Sequence, residues 1–328
     1  MINIIGGSGF IGTHLATRLI KQNKFTIIDK NKSLTFPKLW KKADIRNLNE
    51  LQEVIDENSI IINLAAEHKD NVEPKSLYDE VNVQGAKNIC QVAREKNVKK
   101  IIFTSSVAVY GFALLGTDES GEINYFNDYG RTKWEAEQIY KAWANEDPER
   151  TLVIIRPTVV FGERNRGNVY NLLKQIVSGK FLMVGNGKNK KSMAYVENVA
   201  AFIEYSISHF KPGIHIFNYI DKPDFTMNEL VSKVNKIIKG KKSTGFHFPY
   251  FAGYLGGIFF DILSKVTGKE FPVSAIRVKK FASNTLFSSS IQEKTNFVPP
   301  VEMDQALTNT INFEFLNTKS DGPVFYSE

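Results

Sequence analysis

A doubly wound α/β fold, built on a parallel sheet and followed by a smaller C-terminal part, is the architecture the 328-residue chain predicts. Three observations carry it. Gly6, Gly9 and Gly12 stand at three-residue spacing directly after a short apolar run and before a helical pattern. Near-continuous apolar runs recur through the first half, as strands buried on both faces require. Helical stretches separate those runs.

Taken in order, residues 1–5 read as a strand, 6–12 as a tight turn and 13–21 as a helix. Glycines there let backbone amides approach a pyrophosphate, and the helix N-terminus offers unpaired N–H groups with a partial positive charge. A glycine triplet alone also fits any tight strand-to-helix turn, so its context decides. The next strand, Phe25 to Ile28, ends in Asp29, about twenty residues beyond the turn, where a carboxylate can accept both ribose hydroxyls of an adenosine. That charge repels a 2′-phosphate and favours NAD over NADP, although Lys30 and Lys32 lie close by. Asp44-Ile45-Arg46 falls where a loop can reach the adenine, or is a solvated charged turn. Strands over 60–66 and 100–106 follow, and ligands in such sheets bind beyond the carboxyl ends of the strands. The small segment Asn63 to Ala66 and the hydroxyls of Ser105 and Ser106 fall at those ends.

Asn127-Asp128 marks a helix start, after which Tyr129 and Lys133, four apart, share one face. A tyrosine of pKa ~10 is a poor base at neutral pH, but a nearby ammonium and a positive nicotinamide ring both favour the phenolate. Ser106, one strand away, can hydrogen-bond a substrate hydroxyl and pass its proton to Tyr129. Tyr-x-x-x-Lys by itself is common on ordinary surface helices. Behind a glycine turn and a serine-ended strand, it reads as an alcohol-oxidising site.

Composition agrees with an enzyme of one large or two unequal domains, with 42% hydrophobic residues and no repeat. Net charge +7 favours acidic partners, phosphorylated substrates or anionic lipid among them. Nucleic acid is disfavoured, since no binding signature accompanies the charge. The single cysteine, Cys90, sits in the helical pattern 86–96 as core packing; no disulfide can form within the chain, which fits a reducing cytoplasm. Neither a secretory leader nor a metal-ligand pattern is expected.

Beyond Ala200, Asn218-Tyr219-Ile220 reads as a strand and Thr226 to Lys239 as a capped helix; Arg277, Lys279 and Lys280 face phosphate or solvent. Residues 246–263 are aromatic-rich, with Lys239, Lys241 and Lys242 before them and Lys265 and Lys269 after. Pro249, the glycines and Asp261 argue against a membrane span. Two readings stay open: the segment lies against an anionic membrane surface, or it caps the core of the substrate-binding part.

Gly6-Gly7-Ser8-Gly9-Phe10-Ile11-Gly12, Asn63 to Ala66, Asn82 with Gly85, Ser105-Ser106 with Tyr110-Gly111, Tyr129 with Lys133, Arg156-Pro157 and 195–200 together resemble the extended short-chain dehydrogenase/reductases, in their NAD-dependent sugar epimerase/dehydratase branch. The resemblance implies a Rossmann NAD-binding domain over 1–157 with 192–218 returning to it, a substrate-binding domain over 158–191 and 219–316, and a polar tail over 317–328. It implies NAD contacts from Gly6, Ser8, Gly9, Phe10, Ile11, Gly12, Asp29, Asp44, Ile45, Leu64, Ala65, Ala66, Asn82, Ser105, Tyr129, Lys133 and Pro157. Tyr129, Lys133 and Ser106 take the catalytic positions.

A closer resemblance, carried by 64–68, 156–173 and 261–265, is to bacterial 4-epimerases of N-acetylglucosamine borne on undecaprenyl pyrophosphate, which serve surface polysaccharide (O-antigen) synthesis. It implies substrate contacts from Glu67, Ser106, Arg164, Arg166, Asn168 and Lys191. Sugar-nucleotide epimerases usually carry an arginine where this chain has Lys191, a point charge in place of a bidentate fork. The substrate expected is thus a lipid-linked amino sugar, with a nucleotide-linked one, handled by a soluble UDP-sugar 4-epimerase or a 4-keto sugar reductase, as the alternative. Dehydratases of the branch place an Asp-Glu pair after the serine or threonine, where this chain has Val107-Ala108-Val109, so dehydration is disfavoured. A non-catalytic dinucleotide-binding protein would be expected to lose Tyr129 or Lys133. The cytoplasm, extending to the cytoplasmic face of the inner membrane, is the expected location. Related enzymes are often dimers, which makes a homodimer the expected assembly.

Overall fold

A computed structural model describes residues 1–21, 24–69, 72–268, 275–317 and 322–326. Lys269 and the side chains of Arg277 and Lys280 lie outside the described residues, as do 318–321 and 327–328 of the expected tail. The first strands are β1 (Ile2–Ile5), β2 (Phe25–Asp29), β3 (Trp40–Lys42), β4 (Ile60–Asn63), β5 (Lys100–Thr104) and β6 (Thr151–Pro157). After them come β7 (Val159–Phe161), β8 (Met183–Val184), β9 (Lys190–Tyr195), β10 (Gly213–Tyr219), β11 (Asp221–Thr226) and β12 (His247–Phe248). The helices of the first half are α1 (Phe10–Leu19), α2 (Leu48–Val54), α3 (Ser76–Tyr78), α4 (Gly85–Glu95) and α5 (Asp128–Asn145). Those of the second half are α6 (Asn168–Val177), α7 (Val196–His209), α8 (Met227–Lys239), α9 (Tyr250–Thr267), α10 (Ala275–Ala282), α11 (Ile291–Lys294) and α12 (Met303–Ile311).

Seven strands form one parallel sheet in the order β3-β2-β1-β4-β5-β6-β10, so the expected doubly wound architecture is present. The apolar runs explain it. Alternate residues of each strand point to opposite faces, and both faces are covered. Ile5, Ile61, Ile101, Leu152 and Ile154 pack under α4 and α5, whereas Ile4, Ile62, Ile102, Val153 and Ile155 pack under α1 and α7. Each such side chain contributes about 1.5–3 kcal/mol by leaving water. Winding reverses between β1 and β4, and a crevice opens there at the carboxyl ends of the strands.

A second layer stands over that crevice. β9 pairs with β7 in parallel and with β11 antiparallel, and α6, α8 and α12 cover this small sheet around Phe161, Leu173, Met193, Leu230 and Leu307. Its helices end where local chemistry dictates. Thr226 and Glu229 form a reciprocal capping box at the start of α8, and Gly240 at φ +69° terminates it.

Helix α9 carries the aromatic-rich segment. Phe251, Leu255, Phe259, Ile262 and Val266 recur at helical spacing along one side, and they are 71%, 48%, 62%, 57% and 79% exposed. Gly257 is the buried residue of this helix. The opposite side, with Ala252, Tyr254, Phe260 and Leu263, is half-buried. Lys239, Lys241, Lys242 and Lys265 are exposed around it, while Asp261 turns inward to accept the Ala275 N–H at 3.0 Å. Among the described residues, no helix is long and apolar enough to cross a membrane.

Candidate active site

The glycine turn is a cradle that side chains would fill. Gly6 has φ +75°, a left-handed conformation, and a Cβ on it would stand 2.5 Å from the Ala65 nitrogen. A Cβ on Gly12 would stand 2.5 Å from Gly7 Cα, so α1 can press against the turn only without one. No side chain caps α1 and no acidic residue stands in its first turn, which leaves its N-terminal amides to receive an anion. Asp29, at the end of β2, accepts the Ser8 N–H at 3.1 Å and the Asn31 N–H at 2.9 Å. Burial pushes its carboxyl above the usual range. The shape, the donors and the neighbouring carboxylate fit a dinucleotide: backbone at 6–12 for its diphosphate, Asp29 for its ribose. The Ser8 hydroxyl donates to the Asn31 carbonyl at 2.8 Å, so both its N–H and its O–H tie the turn to the end of β2.

Around this cradle the other expected cofactor positions fall into two groups. Leu64, Ala65 and Ala66 follow β4 directly behind Gly6, with the Leu64 N–H on the Ile5 carbonyl at 2.8 Å, and Pro157 ends β6. Ile45 is buried against Gly85, and Asp44 borders an open hollow of about 550 Å³ with Arg46, Asn47, Glu50 and Glu80. The Arg46 guanidinium holds the Asp44 carboxyl below the usual range. Asn82 and Ser105 are bonded within the chain. Asn82 accepts the Glu67 N–H at 2.9 Å and donates to the Glu67 carbonyl and the Thr132 hydroxyl, both at 3.0 Å, which pins the Glu67 loop to α5. The Ser105 hydroxyl turns inward and donates to Glu137 at 2.6 Å.

Ser106 and Tyr129 meet, and Lys133 stands one turn along α5 from Tyr129. The Asn127 side chain accepts the Gly130 N–H at 2.9 Å and starts α5. A Cβ on Gly130 would stand 2.5 Å from the Ala108 carbonyl, so the first turn of α5 lies flush on the segment after Ser106. Ser106 thereby reaches the Tyr129 hydroxyl, and their hydrogen bond lowers the phenol's pKa. Its acceptor side is taken by the Ala108 N–H at 3.1 Å. Lys133 is 2% exposed, donates to the Thr104 carbonyl at 2.7 Å and lies 4.7 Å from the Phe103 ring. Sequence spacing suggests a phenol made acidic by an ammonium and a nicotinamide ring; without the dinucleotide, desolvation is the larger influence on both groups. Desolvation pushes Tyr129 up to about 12 and Lys133 down to about 7, because burial penalises whichever form is charged. Glu137, one turn along α5, acts against the second shift.

Glu137 is the residue the sequence reading overlooks. It is fully buried, and Arg156 grips it with two bonds of 2.8 and 2.6 Å. The remaining Arg156 nitrogen donates to Tyr110 at 2.6 Å, and Tyr110 to Asn218 at 2.8 Å. This buried chain ties the ends of β5, β6 and β10 to α5, and so fixes Ser106 relative to Tyr129. Its signal was present: an acid four residues after Lys133 on a helix, and an arginine inside the apolar strand Thr151–Pro157.

The expected substrate residues lie around the mouth. Glu67 is half-buried beside Asn82. Asn168 opens α6 and is exposed. The Lys191 ammonium donates to Thr285 at 3.1 Å, and desolvation lowers it to about 8. Arg164 and Arg166 are engaged by the chain's end. Glu314 accepts the Arg164 N–H and an Arg166 guanidinium N–H, each at 2.5 Å. Arg166 also lies 4.2 Å from the Tyr170 ring, which stacks on Phe315. Arg164 itself has φ +72°, a left-handed cost of about 1–2 kcal/mol that these contacts offset. Residues 322–326 run back along this loop. Among the described residues, no three or more His, Cys, Asp or Glu side chains gather to hold a metal ion.

Fold and site together define a dinucleotide-dependent α/β enzyme of the extended short-chain dehydrogenase/reductase type. The chain belongs to the NAD dependent epimerase/dehydratase family, whose model matches residues 2–219, and NAD is its cofactor. It is 47% identical over 326 residues to the N-acetyl-alpha-D-glucosaminyl-diphospho-ditrans,octacis-undecaprenol 4-epimerase of Escherichia coli O157:H7, covering 99% of this chain and 98% of that protein. It is 29% identical to a UDP-glucose 4-epimerase of Vibrio cholerae, over 81% of this chain and 85% of that one. Among solved structures, the UDP-glucose 4-epimerase of Thermotoga maritima with UDP-glucose has the same fold, with a TM-score of 0.73 at 19% identity, covering 95% of this chain and 97% of that one.

Proposed function

We propose that this chain epimerises N-acetylglucosamine to N-acetylgalactosamine at C4 while the sugar is carried on undecaprenyl pyrophosphate, for surface polysaccharide. The observation that carries this reading is the end-to-end 47% identity with the Escherichia coli 4-epimerase, in a chain that hydrogen-bonds Ser106 to Tyr129 and carries Lys133 one helical turn further on. In this reading residues 1–157 and 192–218 hold the dinucleotide, and 158–191 and 219–316 hold the sugar.

Tyr129 takes the proton of the C4 hydroxyl, directly or through Ser106, and gives it back after the sugar has turned over about its anomeric pyrophosphate bonds. NAD, held by the 6–12 backbone and Asp29, would supply the hydride acceptor and donor for C4. Desolvation raises the phenol, so proton removal needs a positive charge, and Lys133, one turn along α5, is the cation assigned that part in this reading. Glu67 and Lys191 line the route by which the sugar diphosphate enters.

A substrate anchored in lipid brings the enzyme to a bilayer, and α9 offers the face. Its exposed apolar stripe would sit at headgroup level, and each lysine around it adds about 1 kcal/mol toward anionic lipid. Incubating the purified protein with undecaprenyl-pyrophosphate N-acetylglucosamine, and separately with UDP-N-acetylglucosamine, should convert the first. Preference for the soluble nucleotide would overturn the assignment in favour of a UDP-sugar 4-epimerase. Flotation with vesicles containing anionic lipid, weakened by salt, tests the α9 face.

A further inference from the structure

The end of the chain reaches the turn that holds the cofactor. The Phe325 N–H donates to the Arg164 carbonyl at 2.8 Å, and the Phe325 carbonyl accepts the Arg166 N–H at 2.7 Å. One residue thus makes a short parallel bridge to the loop after β7. The side chains alternate as a strand's do: Val324 and Tyr326 are 40% and 68% exposed, while Pro323 and Phe325 are half-buried. The Phe325 ring rests 5.9 Å from that of Phe10. Phe10 is the first residue of α1, next to Gly9, and its other neighbour is the His14 ring at 5.2 Å. His14 in turn meets Glu197 of α7 at 2.5 Å.

The anchoring of this strap is specific. Glu314, whose side chain is 2% exposed, holds both Arg164 and Arg166, and the Arg164 guanidinium donates to the Pro323 carbonyl at 3.4 Å. At Gly322 the backbone has φ +146°, and a side chain would collide with that guanidinium. The result is a bridge between two halves of the cleft: backbone bonds to the 164–166 loop above, and an aromatic contact to the glycine turn below.

We propose that Gly322–Tyr326 is a clamp that retains the dinucleotide, with Phe325 as its closing residue. An enzyme whose reaction returns the hydride it removes must keep the reduced cofactor until the return. Losing it midway strands a keto sugar and an inactive protein. A clamp tying the substrate-side loop to the first residue of α1 slows separation of the walls between which the diphosphate lies. The inference rests on the NAD reading of the glycine turn and is independent of which sugar is used.

The test measures cofactor and no turnover. Full-length protein, Phe325→Ala, Phe325→Leu and a chain ended at Asn317 are loaded with NAD, freed of excess, and followed for bound nucleotide over time. Removing one aromatic contact should speed NAD release about tenfold in Phe325→Ala, more in the shortened chain, with Phe325→Leu closer to the parent. Amide exchange at 6–12 should quicken in the same order. Release within about twofold of the parent in Phe325→Ala overturns the clamp, and it does so even if the shortened chain fails to fold. Failure of the full-length protein to bind NAD would instead remove the reading beneath it, while failure to convert lipid-linked sugar would touch neither.

Discussion

Helices α5 and α9 are each 18 residues long, and they break the usual division of polar and apolar in opposite directions. α5 buries Lys133 and Glu137, while α9 exposes Phe251, Leu255, Phe259, Ile262 and Val266. On α5 the cost of burying charge is offset inside the chain by Arg156, Ser105 and the Thr104 carbonyl. On α9 the exposed side chains have no such cover among the described residues. A buried charge with partners marks chemistry; an exposed apolar stripe marks something outside the molecule.

The contrast breaks most visibly at Tyr129. Tyr129→Phe should lower turnover of the lipid-linked sugar by about 10²–10⁴-fold with NAD still bound. Unchanged turnover would make the buried groups of α5 purely structural. Next in size, Glu137→Ala leaves the Arg156 guanidinium buried without its carboxylate and should cost about 3–5 kcal/mol in denaturant unfolding. A cost under about 1 kcal/mol would show that the network holds nothing together.

On α9 the same kind of change should act elsewhere. Phe259→Ser should alter stability by no more than about 0.5 kcal/mol yet weaken vesicle binding by about 1.5–3 kcal/mol, read by flotation. A large stability loss with vesicle binding intact would mean that the face is covered by protein. The smallest effect is a slope. Lys133 is held near 7 when folded and returns toward 10.5 when unfolded, so between those values the unfolded chain binds more protons and stability rises with pH. The contribution is at most about 1.4 kcal/mol per pH unit, and Lys133→Met should remove it from the pH dependence of unfolding measured without NAD.

Much of this was legible in the residues. Apolar runs gave the parallel sheet, because strands buried on both sides tolerate little else. Asn127 and Thr226 announced α5 and α8 through caps that act within three residues. The glycine turn needed only local spacing. What escaped notice depended on distance or on solvent. That Glu314 holds the Arg164 backbone and the Arg166 guanidinium could not be read from their loop, since it stands about 150 residues away in the chain. The phenol's upward shift could not be read from Tyr-x-x-x-Lys, since spacing gives proximity but not the dryness that decides its sign. The aromatic run at 246–263 showed composition without direction, and only the packing of its neighbours says which way α9 faces.

Cys90 completes the picture from an unexpected side. It is the chain's sole cysteine, 1% exposed on the buried face of α4, and burial pushes its thiol up to about 12. Maleimides and iodoacetamides, which attack thiolates, will therefore pass over the native protein. A cysteine introduced at Phe259 would be the one reactive handle on the folded chain, and a polarity-sensitive dye fixed there would report, by its colour, whether that helix rests in water or in oil.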